Sequence, residues 1–100
     1  MESKFGEWLR RERLASGVTL RAFAIQAGIS ATYLSKIERG EFKPPSEAVI
    51  KRICVLLRVN PDYGLAMAGK VSSDLIDIII ANPVDYGNFL RHHFRQLSVK

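Results

Sequence analysis

Residues 19–40 read TLRAFAIQAGISATYLSKIERG, and the punctuation of this stretch decides the fold. Thr19, a hydroxyl residue suited to capping a helix, precedes Leu20, Phe23, Ala24 and Ala27, which recur at i, i+3, i+4 and i+7 like the apolar stripe of a short helix. Gly28 follows, the residue type that most readily takes the left-handed conformation ending a helix. Ser30 then caps a second helix, predicted to run to Arg39 with Leu34 and Ile37 inward and Gly40 closing it. Two short helices joined by a tight turn at 27–29 make a helix-turn-helix: Ala24 is small enough for close approach, and Ile29 and Leu34 fill the gap. In such a pair the first helix lies across the DNA backbone. The second enters the major groove with its N-terminal residues at the base edges.

Outward from this stretch the same logic yields five more helices and no strand. Upstream, 3–15 carries Phe5, Trp8 and Leu9 on one face and stops at Gly17. Downstream, a Pro-containing connection at 41–45 leads to Ser46, the cap of a helix whose Ile50, Ile53, Cys54 and Leu57 keep the helical spacing. Pro61 suits the first turn of a short helix ending near Gly69. A sixth helix is predicted after Ser72 or Ser73 as far as Ala81, its β-branched run at 78–80 notwithstanding. A seventh begins at Pro83, with an apolar stripe of Tyr86, Phe89, Leu90, Phe94 and Leu97 broken by His93 and opposed by Arg91 and Arg95.

Composition narrows the function classes. At 100 residues, 47% of them hydrophobic, the chain has material for one modest core, which excludes an assembly of several full-sized domains. The net charge is +5, and it is unevenly placed: residues 1–60 hold 11 Lys/Arg against 6 Asp/Glu, residues 61–100 hold 4 against 4. A basic front half favours an anionic partner, and the neutral, apolar remainder suits some other task. The single cysteine, Cys54, has no intramolecular disulfide partner and falls on an inner helix face as a small core residue. Charges in MESKFGEW stand where a secretory signal needs an apolar run, so a cytoplasmic protein is expected. The apolar stretch 75–81, interrupted by Asp77, is far short of the roughly 20 residues of a membrane span.

Catalytic and metal chemistry find no foothold in the pattern. His92 and His93 are neighbours on one helix and project about 100° apart, so they do not converge on a metal. There is no Gly-rich phosphate loop, no H-E-x-x-H and no legible nucleophile–base set; neither an enzyme nor a cofactor is expected. Aromatic residues sit mostly at core spacing rather than on a base-stacking platform, which disfavours a generic RNA binder, and Trp8 is expected at the core edge.

Taken together, Phe5-Gly6, Leu9-Arg10, Arg13, Gly17 before Thr19, Ala24, Gly28-Ile29-Ser30, Tyr33-Leu34-Ser35, Ile37-Glu38-Arg39-Gly40 and Pro45 before Ser46 form a specific set. Residues 5–60 resemble the phage-repressor and Cro-like, xenobiotic-response-element type of helix-turn-helix transcriptional regulators. The resemblance implies an all-α, five-helix lambda-repressor-like DNA-binding domain, placed at 1–69, that usually works as a dimer on a palindromic double-stranded operator. The two C-terminal helices at 70–100 go beyond that minimal domain, and the expected function of the chain is that of a transcriptional repressor. By position it assigns Ala31, Thr32, Ser35 and Lys36 to the bases. Their chemistry agrees: Ala31 and the Thr32 methyl suit thymine methyls, hydroxyls pair with donors or acceptors, and Lys36 suits guanine. Tyr33, Arg39 and Lys43 are assigned to phosphates, with the helix start near Thr19 and Leu20. Leu20 stands where the family often has glutamine, and Arg21 is the residue placed to compensate. Arg13 and Glu38 correspond to an ion pair that ties the first helix to the third.

The C-terminal helices are expected to make a homodimer. Leu75, Ile76, Ile79 and Ile80, with Tyr86, Phe89, Leu90, Phe94 and Leu97, supply more large apolar side chains than two short helices bury between themselves. A two-fold interface there would set two recognition helices about 34 Å apart, one DNA turn. The competing expectation is an antitoxin-like or adaptor protein whose residues 70–100 bind another protein, such as a toxin.

Overall fold

The computed structural model describes residues 3–98, and every regular element among them is helical. In chain order these are α1 (Ser3–Ala15), α2 (Leu20–Ala27), α3 (Ala31–Glu38), α4 (Glu47–Leu57), α5 (Pro61–Met67), α6 (Ser73–Ala81) and α7 (Pro83–Ser98). Their starts are set by side-chain caps. Thr19 Oγ1 accepts from the Ala22 N–H at 3.1 Å, Ser30 Oγ from Tyr33 at 3.0 Å and Ser46 Oγ from Val49 at 3.4 Å. Each such cap contributes about 1 kcal/mol. Asn60, which the sequence pattern did not single out, caps α5 through Asp62 N–H at 2.8 Å.

The turn between α2 and α3 is closed by its glycine. Gly28 sits at φ 74°, its N–H bonds back to Ile25 O at 3.1 Å, and Ile29 N–H reaches Ala24 O at 3.0 Å. This double closure stops α2 abruptly and lets α3 start at once. α3 ends at Glu38, one residue short of the predicted limit, with Arg39 as its C-cap, and α5 ends at Met67 rather than near Gly69.

The core is assembled from the first five helices. Phe5, Trp8 and Leu9 of α1 meet Phe23, Ala24 and Ala27 of α2, Leu34 and Ile37 of α3, Ile50, Ile53 and Cys54 of α4 and Leu65 of α5. Trp8 departs from expectation: it lies at 3% exposure inside the core, its ring 5.6 Å from Phe5 and edge-on to Tyr63 at 6.0 Å. Gly64 makes the room. A Cβ at that position would stand 2.2 Å from Cys54 Sγ and 3.5 Å from the Trp8 ring, so the missing side chain lets α5 lie flush on both. Cys54 is buried, and burial pushes its thiol pKa up, as expected of a packing residue.

Contacts divide the chain into one unit up to Lys70 and another from Val71. The second unit pairs α6 with α7. Among the described residues, no helix is long and apolar enough to cross a membrane.

Candidate nucleic-acid interface

α3 has a buried face and an open face. Leu34, Ile37 and Glu38 point inward and are buried. Glu38 is a carboxylate with only 3% of its side chain exposed, and Arg13 of α1 satisfies it with a two-pronged contact: Nε to Oε2 at 2.7 Å and Nη2 to Oε1 at 2.9 Å. The third arm, Nη1, donates to Val18 O at 3.0 Å. The hydrogen bond to Glu38 holds the Arg13 pKa above its ordinary value against the opposing effect of burial. Such a pair adds little net stability because both charges lose water, yet removing one partner strands the other. Its effect is positional: it ties the end of α3 to α1, where Gly6 lies against the Ile37 carbonyl.

The open face collects the residues assigned to base contact. Thr32 is exposed, while Ala31, Ser35 and Lys36 are partly so. Leu20, Ala31, Thr32, Ser35 and Arg39 line an open depression of about 320 Å³. Thr19 and Arg21, at the start of α2, and Lys43, in the segment after α3, are exposed. Thr19 takes up one amide of the first turn of α2, and the remaining first-turn amides of a helix have no partner within it. Tyr33 packs partly against the core and tilts onto Phe42, with ring centroids 5.9 Å apart. Lys36 Nζ lies 5.2 Å from the Phe42 ring centroid, within cation–π range.

Arg39 is not a free cation. Its Nε donates to Glu41 Oε2 at 2.7 Å and its Nη1 donates to the Ser35 hydroxyl. That hydrogen bond and charge hold the Glu41 carboxyl below its ordinary range and the Arg39 pKa above its own. Glu41, Phe42 and Arg52 were missed by sequence reasoning. Arg52 of α4 donates from Nε to Ala27 O at 3.1 Å, satisfying a carbonyl at the end of α2 and so bracing the turn. The available signal was a charged residue directly before buried Ile53; for Glu41 it was an acid two places after Arg39.

Of the residues expected in the C-terminal interface, Leu75, Ile76, Ile80, Tyr86, Phe89, Leu90 and Phe94 are exposed and Ile79 is partly buried. The Leu97 side chain lies outside the described residues. Among the described residues no group of three or more His, Cys, Asp or Glu is arranged to hold a metal.

Residues 4–63 match a family model described as a helix-turn-helix domain. The chain belongs to that family. It is 37% identical over 71 residues to the HTH-type transcriptional regulator RghRB of Bacillus subtilis, covering 71% of this chain and 51% of that protein. It is 35% identical over 71 residues to the HTH-type transcriptional repressor RghR of the same organism, covering 71% and 52%. The crystal structure of the clp gene regulator ClgR from Corynebacterium glutamicum superposes with a TM-score of 0.58 at 33% identity, over 69% of this chain and 90% of that one. This helix-turn-helix chain therefore sits among transcriptional regulators, and it spans about half the length of the curated relatives it matches.

Proposed function

We propose that this helix-turn-helix chain binds double-stranded DNA in a sequence-specific manner and acts as a transcriptional repressor. The observation that carries the reading is the division of α3. Its inner face is locked to α1 through Arg13 and Glu38, while its outer face offers Ala31, Thr32 and Ser35 in an open depression bordered by the start of α2. A helix held rigidly from behind and polar in front has the form required for base readout. Ala31, Thr32, Ser35 and Lys36 are the proposed base contacts. Thr19, Leu20, Arg21, Tyr33 and Lys43 are the proposed phosphate contacts, Leu20 through its backbone amide. Repression is proposed by likeness to RghR.

Residues 71–100 are proposed to form a homodimer. The support is their exposed apolar surface, with Leu75 at 40%, Phe89 at 51% and Phe94 at 51% exposure, on a segment without net charge to draw it to DNA. A protein partner on the same surface is the second reading.

Titration of the full chain with duplex DNA at a series of salt concentrations tests the proposal. Binding should weaken linearly in log–log form, with a slope of about −0.9 per phosphate neutralised. Absence of binding, or binding insensitive to salt, would contradict it.

A further inference from the structure

We propose that Arg39 reads a base edge rather than a phosphate, and that Glu41 holds it ready to do so; this rests on the DNA-binding reading above. The guanidinium is gripped from two sides. Ser35, one turn earlier on α3, accepts from Nη1, and Glu41, just beyond Gly40, accepts from Nε at 2.7 Å. These bonds engage two N–H groups of a fork that carries five, leaving the rest of its outer edge for a ligand. Among the residues that line the depression with Leu20, Ala31, Thr32 and Ser35, Arg39 is the cation.

Two considerations favour a base over a phosphate. Charge is the first. With Glu41 ionised beside it the pair is neutral, so its attraction for a phosphate is largely cancelled and a carboxylate stands near the backbone. Directional hydrogen bonding survives this cancellation, because the N–H groups keep their geometry. The second is stability. Both side chains are about half exposed, at 53% and 51%, and such a surface pair contributes little to the fold. What it does accomplish is to remove rotamer freedom from a long side chain before binding. Guanine offers the matching acceptors, O6 and N7, to a planar fork, a pairing that a lysine ammonium does not reproduce with the same geometry.

The test measures binding of the full chain to its site, selected from random duplexes, and to every single-base variant of that site, across several salt concentrations. Arg39→Lys should cut the preference at one G·C position by roughly 5- to 150-fold, and Arg39→Ala combined with Glu41→Gln, which removes the pair without changing its net charge, should leave the salt slope unchanged. Glu41→Gln should erode the preference at the same position while tightening binding to unrelated duplexes. Thermal melting of the three variants should match the parent within a few degrees. The inference is overturned if that charge-neutral double variant weakens all sequences by one factor and lowers the slope by about 0.9, the signature of a phosphate contact. It is equally overturned if Glu41→Gln strengthens all sequences with preferences intact. A parent chain with no sequence preference at all would remove the DNA-binding reading itself. Preferences that exist but ignore all three variants would overturn only the role of Arg39.

Discussion

Gly6 and Ile37 meet backbone to backbone: a Cβ on Gly6 would lie 2.2 Å from the Ile37 carbonyl oxygen and 3.0 Å from that of Glu38. α1 can lie this close to the end of α3 only because position 6 has no side chain. The same approach brings Arg13, about two turns further along α1, to Glu38.

Gly6→Ala sets two effects against each other. Alanine in a helix interior gains about 1 kcal/mol over glycine, but a 2.2 Å contact with backbone forces α1 and α3 apart. Overpacking of this kind costs about 1–3 kcal/mol, so net destabilisation is expected. Urea unfolding should show a lower midpoint with unchanged slope. Gly87→Ala is the contrasting case: its Cβ would meet only the flexible end of Arg91, at 3.2 Å, and no loss of stability is expected.

Glu38→Ala leaves the Arg13 guanidinium buried without its carboxylate. A loss of about 3–5 kcal/mol is expected, enough to unfold much of a marginal domain. Replacing both together, Arg13→Met with Glu38→Leu, should recover most of that loss. Denaturant titration of the two variants checks this, and equal instability in both would show that the pair is a net stabiliser rather than a positioning device.

Lys36 and Lys43 should separate in binding. Lys36, steadied over Phe42, is assigned to a base, so Lys36→Ala should cost about 1–3 kcal/mol of discrimination at one position. Lys43, exposed after α3, is assigned to phosphate, and Lys43→Ala should weaken all sequences alike. Parallel losses in both variants would mark Lys36 as a backbone contact.

The parts of the fold legible in the sequence are those with local causes. Thr19, Ser30 and Ser46 announce helix starts because a cap bonds to an amide three residues away, and Gly28 announces a stop because only its own φ is at issue. The depth of Trp8 was not legible, since it depends on the absence of a side chain at Gly64, far away in sequence. Nor were Glu41 and Phe42, which read as parts of a Pro-containing connection. Their amides turn back to the Lys36 carbonyl, at 2.9 and 3.3 Å, and this bend brings both side chains onto the α3 face. The pattern therefore exposed the candidate base-facing residues but not the neighbours that orient them.

The role of residues 71–100 is open to truncation. Among the described residues the buried apolar core lies before Lys70, so a chain ending there should keep the packing of α1 to α5. Sedimentation at micromolar concentration should find the full chain dimeric and the shortened one monomeric. A monomeric full chain, or two chains that dimerise equally, would remove this segment as the dimer element; a monomeric full chain that co-purifies with a stoichiometric companion would favour the second reading.

Whether the open face of α3 reads DNA sequence is decided by selection from random duplex DNA, performed in parallel with the parent chain and with Ser35→Ala and Lys36→Ala. The parent should enrich a palindromic site with half-sites about one helical turn apart. Each variant should lose preference at its own symmetric pair of positions and keep the others. No enriched motif from the parent, or one unchanged in both variants, would contradict sequence reading by α3.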